Sequence, residues 1–160
     1  MLSHSYCISK SVMVDKNQNS IRVKVMCLIT DGKRVLAGKG RDNVKNEDFS
    51  RVLGGSLNFG ETVRDGVLRE IREELNYEVE NLKLVDVVEN IFIYEGKKGH
   101  QITFLFKGYV REPRLCEPAI VHIVEDTYEF YAEWISIEDI LNKKVRLYPE
   151  YDYSKIQWHN

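Results

Sequence analysis

Three glutamates, Glu70, Glu73 and Glu74, lie within five consecutive residues of the segment REIREEL, which runs from Arg69 to Leu75. On a helix, residues three and four positions apart are neighbours, and like charges there destabilise an isolated helix by roughly 0.2–0.5 kcal/mol per pair. All three side chains are ionised at neutral pH when unperturbed. Mg²⁺ or Mn²⁺ prefers oxygen ligands and would turn this repulsion into attraction. The spacing therefore indicates a site for a hard divalent cation.

The acids are predicted to lie on a helix that begins near Thr62 and ends at Leu75. The sequence TVRD from Thr62 to Asp65 has the form of a capping box. A glycine pair, Gly54-Gly55, precedes the helix and indicates a turn. Apolar residues recur at helical spacing and would form the buried face: Val67, Leu68, Ile71 and Leu75.

Strands are predicted before this helix. Residues 21–29 alternate between apolar and more polar side chains, which is the period of a strand. Asp31-Gly32 predicts a tight turn, and residues 34–37 would return as the second arm of a hairpin. The polar stretch from Lys39 to Ser50 is predicted to be a surface loop.

Further strands and a short helix are predicted after it. These elements are strands at 82–94, 102–110 and 128–135, a hairpin loop at 95–100, an irregular segment at 111–127 and a helix from Ser136 to Leu141. The tyrosine-rich tail beyond Lys143 either packs back on the domain or lies loose. Strands on both sides of a central helix predict an α/β fold, with a mixed sheet and helices on its faces.

Composition limits the class of protein. The chain has 160 residues, of which 43% are hydrophobic, so we expect a single domain over residues 1–160. A net charge of −2 argues against a nucleic-acid partner. Three cysteines in no metal-like spacing favour free thiols in a reducing compartment. No signal peptide or membrane-spanning apolar run is present, so a soluble, cytoplasmic protein is expected.

The segment from Gly55 to Tyr77 resembles the Nudix box of the Nudix hydrolases. That box reads Gly, five residues, Glu, seven residues, Arg-Glu, aliphatic, any residue, Glu-Glu, any residue, Gly, aliphatic. The matching residues are Gly55, Glu61, Arg69, Glu70, Ile71, Glu73 and Glu74, and the spacing agrees throughout. Asn76 replaces the final glycine and Tyr77 the aliphatic residue. Asparagine is the residue that tolerates a left-handed conformation best after glycine, so the first change is conservative.

The resemblance implies the Nudix α/β/α sandwich, with a mixed sheet and the box as a loop-helix-loop. It also implies hydrolysis of a nucleoside diphosphate linked to some other group, such as a nucleotide or nucleotide-sugar substrate, with Mg²⁺ or Mn²⁺ as cofactor. Glu70 and Glu74 would be the principal metal ligands, and Glu73 a further ligand, direct or through water. The other implied contributions are a backbone carbonyl of Gly54 or Gly55, a supporting carboxylate at Glu61, and an ion pair from Arg69 that orients Glu73.

The resemblance leaves the general base open. In some Nudix enzymes the base is a box glutamate, which here would be Glu70. In others it is an acid on a loop before the late strand, where this chain offers Glu125, Asp126 and Glu129. We favour Glu70, with Glu129 and Glu125 as competitors.

Substrate choice is also open. A non-catalytic module that binds a nucleotide is the alternative to an enzyme, although all four box glutamates are present. Tyr94 would either pack in its strand or stack on a base, and Lys39, Arg41 and Arg51 would either meet phosphate or lie in a solvated loop. The oligomeric state is left open, a homodimer included.

Overall fold

The computed structural model describes residues 20–125 and 128–158. Its elements are β1 (Arg22–Thr30), β2 (Arg34–Asp42), β3 (Glu47–Ser56), α1 (Val63–Leu75), β4 (Glu80–Tyr94), β5 (Lys97–Tyr109), α2 (Pro113–Cys116), β6 (Ile120–Glu125), β7 (Tyr128–Ser136), α3 (Ile137–Leu141) and β8 (Leu147–Tyr148). The predicted α/β class is confirmed. Within the described ranges, none of the helices has the length and apolar character needed to cross a membrane.

The strands form one mixed sheet in the order β4-β5-β1-β3-β2-β7-β6, with β8 paired to β3. β1 runs parallel to β5, and β3 runs parallel to β8. The remaining pairings are antiparallel. β1 and β3 therefore lie side by side at the middle of the sheet, as the predicted mixed architecture requires.

Helix α1 covers one face of the sheet. Val25 and Cys27 of β1 are fully buried and pack in one cluster with Val67 and Ile71 of α1. The apolar stripe predicted for the helix is therefore its buried face.

Helix α3 and the C-terminal segment cover the other face. Met26 and Leu28, which alternate with the α1-facing residues of β1, pack in a second cluster with Ile140 and Trp158. The tail is tied down, since the Tyr109 hydroxyl donates a hydrogen bond of 2.9 Å to the backbone carbonyl of Trp158. Of the two fates considered for the tail, packing back is the one observed. Because both faces of β1 are covered, its side chains from Lys24 to Thr30 are buried on both sides.

The prediction of a surface loop from Lys39 to Ser50 was wrong. β2 continues to Asp42 and β3 begins at Glu47, and the two form a hairpin in which Lys39 pairs with Ser50. Asn46 closes the turn with a φ of 56°. The two strands pair through backbone hydrogen bonds, and the polar side chains of this stretch give no indication of that pairing.

Two further boundaries differ from the sequence-based prediction. The irregular segment predicted at 111–127 contains α2 and the edge strand β6. The loop predicted at 95–100 is shorter, because β5 already begins at Lys97 and the turn consists of Glu95 and Gly96. His100 therefore lies in a strand, where its ring contacts Glu89 at 2.9 Å.

Both ends of α1 have the predicted caps. The Thr62 side chain accepts a hydrogen bond of 3.1 Å from the backbone N–H of Asp65. At the other end, Asn76 adopts the left-handed conformation, with φ 49° and ψ 47°, and its N–H donates to the Arg72 carbonyl at 2.8 Å. Asn76 therefore adopts the left-handed conformation that glycine usually provides at the end of a helix.

Asn76→Ala should lower the free energy of unfolding by about 1 kcal/mol, because the left-handed conformation is sterically unfavourable for alanine. Asn76→Gly should leave it unchanged or raise it by a few tenths of a kcal/mol. Urea unfolding of the two variants measures the difference. Equal stabilities for the alanine and glycine variants would show that the left-handed cap has no energetic role.

Candidate functional site

The glycine pair at the end of β3 allows α1 to approach the sheet closely. Gly54 has a φ of 131°, and a Cβ placed there would lie 2.2 Å from the carbonyl oxygen of Val25. A Cβ on Gly55 would lie 2.3–2.5 Å from the carboxylate atoms of Glu70. The first glycine is thus required by the backbone, and the second leaves space for an acidic side chain.

Two of the three helix acids are buried against this turn. Glu70 and Glu74 are 7% and 6% exposed, and Oε2 of Glu74 accepts a hydrogen bond of 3.0 Å from the N–H of Gly54. Burial raises the pKa of Glu70, while the neighbouring Arg69 opposes that rise. The Glu73 side chain is 41% exposed and points toward solvent.

The guanidinium of Arg69 lies among the carboxylates. It donates hydrogen bonds of 2.7 and 3.1 Å to the two oxygens of Glu61, one of 2.9 Å to Glu70 and one of 3.1 Å to Glu73. A further bond of 3.0 Å reaches the Ser56 carbonyl. The bonds from Arg69 and from the backbone lower the pKa of Glu61 to about 2. The expected ion pair with Glu73 is present, and the same arginine also holds two other acids.

The donor set suits a hard divalent cation. Three carboxylates meet at the Arg69 guanidinium and the fourth, that of Glu74, lies against Gly54, and oxygen atoms are the ligands that Mg²⁺ and Mn²⁺ prefer. Among residues 20–125 and 128–158, no three acids already converge on one point. Arg69 lies between them instead, so binding a cation requires the acids to exchange part of this arginine pairing for the metal.

The predicted candidates for a loop base lie elsewhere or outside the description. Glu129 is an exposed residue of β7 and contacts the ring of His122 on β6 at 3.2 Å. Its neighbour Phe130 packs in the α1-facing cluster, so Glu129 points to the opposite face of the sheet. Asp126 lies outside the described residues, and Glu125 ends β6. Of the four base candidates, Glu70 is the one that the described structure brings to the acidic cluster.

A recess lies between β1, β3, the β4–β5 hairpin and β8, and it includes Arg51, three residues before Gly54 on the same strand. It encloses about 840 Å³, part of which is open solvent. The Phe49 ring stands edge-on to Tyr94 at 5.9 Å and to Tyr148 at 5.4 Å. The other walls of the recess include Arg22, Arg51, Phe92 and Gln101. Two acids, Asp42 and Glu47, also line it and pair with Lys45 and Arg146. A ligand with a flat ring fits the aromatic part of this lining.

Lys24 links the recess to the acids. It is 1% exposed, and its Nζ donates a hydrogen bond of 2.8 Å to the hydroxyl of Ser56. Burial, followed by the charges of Arg51 and Arg22, lowers the pKa of Lys24 to about 7, and Glu70 acts in the opposite direction. Ser56 joins the lysine to the acidic cluster, since its hydroxyl accepts from Lys24 and its carbonyl accepts from Arg69.

The sequence indicates Tyr94 and Arg51 as possible ligand contacts, but its motifs do not include Lys24 or most residues of the recess. The missed residues come from β1, β3, β5 and β8, far apart in sequence. One signal was available, since Lys24 is a charged residue inside the apolar run VKVMCLI of a central strand. The helix acids were found because their spacing is local.

Gly54→Ala should reduce the stability of the fold, whereas Gly55→Ala should reduce the affinity for Mn²⁺. At Gly54 the new methyl group meets backbone at a positive φ, so unfolding free energy should fall by about 2 kcal/mol or more. At Gly55 it meets the movable end of Glu70, so the fold should survive while Mn²⁺ affinity falls. Urea unfolding and Mn²⁺ titration separate the two effects. Gly60→Ala is the control, since Gly60 also has a positive φ but open space around it. Unchanged Mn²⁺ binding by Gly55→Ala would contradict this reading of the turn.

Comparisons with known proteins agree with this geometry. The MutT NUDIX hydrolase of Burkholderia pseudomallei is 24% identical, with a TM-score of 0.56 over 75% of this chain and 86% of that one. The MutT protein of Methanosarcina mazei Go1 is 23% identical, with a TM-score of 0.55 over 86% and 91%. The NUDIX domain of Shewanella oneidensis NrtR, complexed with ADP ribose, is 16% identical, with a TM-score of 0.55 over 81% and 80%. Since the sequence model of the NUDIX domain also matches residues 20–155, this chain belongs to the Nudix family and is a Nudix hydrolase.

Proposed function

We propose that this protein hydrolyses the pyrophosphate linkage of a nucleoside diphosphate joined to another group, with Mg²⁺ or Mn²⁺. Nudix hydrolases are generally metal-dependent pyrophosphohydrolases, and the substrate and the metal are the parts proposed here. The observation that carries the proposal is that one strand, β3, contributes to two features. Its Gly54 and Gly55 lie against Glu74 and Glu70, and its Phe49 and Arg51 line a recess with aromatic and basic walls.

Glu70 and Glu74 would hold the cation, with Glu73 as a further ligand and a carbonyl of the glycine pair completing the set. A bound divalent cation supplies neutralisation of the phosphate charge and activation of water. The protein's own contribution is orientation. Arg69 holds three carboxylates near one another through hydrogen bonds of 2.7–3.1 Å, and part of this pairing is given up when the cation binds. Glu61, bound to the same arginine, supports the cluster.

Glu70 is the base that we propose, and Glu129 remains the competitor. The position of Glu70 supports this role, since it lies in the acidic cluster and accepts a hydrogen bond of 2.9 Å from Arg69. Glu129 is exposed on β7, where it contacts the ring of His122 at 3.2 Å and lies away from the acidic cluster.

The recess supports a nucleotide as the ligand. Aromatic faces stack on nucleobases, and arginine suits phosphate oxygens. The NrtR domain, which has the same fold, was crystallised with ADP ribose. We therefore propose that the nucleoside occupies the recess while its phosphates extend toward α1.

Glu74→Gln should abolish turnover of nucleoside diphosphate derivatives, with a loss of at least about 100-fold, because an amide is a poorer ligand for a hard cation than a carboxylate. The fold should persist, since the amide oxygen can still accept the hydrogen bond from Gly54. The assay is product release from a panel of such substrates with Mg²⁺, with Mn²⁺ and with EDTA.

Glu78→Gln is the matched control. Glu78 pairs with Arg72 on the surface, and its side chain is 71% exposed. That variant should retain wild-type turnover. Metal-dependent turnover by Glu74→Gln at the wild-type rate would refute the role of Glu74. Nucleotide binding without turnover by the wild-type protein under every metal condition would establish the non-catalytic module instead.

A further inference from the structure

The floor of the recess holds a buried side-chain amide. Gln101 of β5 is 6% exposed and lines the recess. Its side chain forms no hydrogen bond within residues 20–125 and 128–158. An amide has two donor hydrogens and an acceptor oxygen, and buried side-chain polar atoms nearly always have partners. A polar group of a ligand, or a water that a ligand displaces, therefore belongs beside Gln101.

Asn90 of β4 places a second amide at the same point. It is half-buried, pairs in register with Gln101 and also lines the recess. Residues paired in this way project from the same face of a sheet, with their Cβ atoms about 4.5–5.5 Å apart. The Asn90 side chain likewise has no hydrogen bond to the part of the chain that the structure describes. Two neighbouring amides are thus available to one ligand.

Aromatic rings lie next to the two amides. Phe92 and Tyr94 follow Asn90 at alternate positions of β4, so their side chains share the recess face. The Phe92 ring lies across Gly99 of β5, where a Cβ would be 2.4–2.8 Å from three of the ring carbons. Gly99 is two residues before Gln101 on the same face. A flat ring stacked on Phe92 can therefore present its edge to the Gln101 amide.

The two carboxylates that line the recess are already engaged. Asp42 is 3% exposed and accepts hydrogen bonds from the backbone N–H groups of Lys45 and Glu95, at 3.0 and 3.2 Å. Glu47 pairs with Arg146. These bonds hold the β2–β3 hairpin to the β4–β5 hairpin and to the C-terminal segment. The amides, and not the acids, are therefore the groups that remain for the edge of a bound base.

The hydrogen-bonding edges of the bases differ in how they match an amide. Adenine presents a donor, N6–H, beside an acceptor, N7 or N1, and glutamine or asparagine meets such a pair with two hydrogen bonds. Guanine presents two acceptors, O6 and N7, on one edge, and the donors N1–H and N2–H on the other, for which a carboxylate is the better partner. Cytosine and uracil also place a donor beside an acceptor, but a single ring stacks on less of an aromatic wall.

We propose that Gln101 and Asn90 hydrogen-bond the edge of an adenine ring stacked on Phe92, and so select adenine nucleotides as substrates. Gln101 contributes most, because it is the more buried of the two amides. The inference rests on the proposed function in taking the ligand of the recess to be a nucleotide, but base selection needs no metal and no turnover.

Calorimetric titration in EDTA with AMP, GMP, CMP and UMP tests base selection directly, because the four ligands differ only in the base. Wild-type protein should bind AMP most tightly, roughly tenfold more tightly than GMP, which corresponds to one bidentate contact. Gln101→Leu should bind AMP roughly tenfold more weakly and lose the preference over GMP. Gln157→Leu is the matched control, since Gln157 is exposed and lies outside the recess. It should bind AMP within about twofold of wild type.

Thermal unfolding and a second substitution separate base selection from a structural role. Gln101→Leu should unfold at the wild-type temperature or above, because an apolar side chain of similar size replaces a buried amide. Gln101→Glu keeps the size of the side chain but only accepts hydrogen bonds when ionised, so the preference should move from AMP toward GMP. An AMP-to-GMP affinity ratio left unchanged by Gln101→Leu would overturn the proposal. Equal binding of all four nucleotides by wild type, or binding of none, would overturn it as well.

Steady-state kinetics distinguishes this inference from the proposed function. In an active enzyme, Gln101→Leu should raise KM for adenosine diphosphate derivatives by roughly tenfold, with a smaller effect on kcat. Turnover without preference among the bases, in wild type and in Gln101→Leu alike, would refute base selection and leave the hydrolase intact. AMP binding that depends on Gln101, in a protein without turnover on any substrate, would refute the hydrolase and leave base selection intact.

Discussion

Charge compensation by Arg69 holds the acidic end of α1 together. The helix must bury Val67 and Ile71 to complete the core, and that packing brings Glu70 and Glu74 against the sheet with little access to water. Buried carboxylates are tolerated when they are hydrogen-bonded and compensated. Arg69 donates a hydrogen bond to the buried Glu70 and compensates its charge. It also joins the helix to the preceding loop through Glu61 and Ser56. Core packing and site geometry therefore depend on the same interaction.

The local parts of the molecule could be predicted from sequence. Helix α1, its cap at Thr62 and its left-handed end at Asn76 depend on residues within one or two turns of each other, so short-range patterns report them. The acids and Gly55 follow for the same reason, because the box fixes their separation. The hairpin between β2 and β3 could not be recognised in this way. Its polar residues pair through the backbone from 39 to 50, and side-chain alternation carries little information there.

The rest of the candidate site depends on contacts between distant segments. Lys24 lies in a strand whose alternation predicts a solvated face, yet it is 1% exposed because β1 is covered on both sides. The recess likewise needs Phe49, Tyr94 and Tyr148, which are brought together by the β2–β3 hairpin, the β4–β5 hairpin and β8. The pairing of β3 with β8 is parallel and joins segments about a hundred residues apart in sequence, so no short-range sequence pattern predicts it. The recess was therefore less visible in the sequence than the acidic cluster.

The C-terminal segment forms part of the wall of the recess while the acids reside on α1. Tyr148 and Arg146 belong to that segment, which is anchored by Trp158 and by the carbonyl accepting from Lys107. If the recess holds the ligand as proposed, substitutions at Arg146 or Tyr148 would change one of its walls without displacing α1 or the glycine pair of β3.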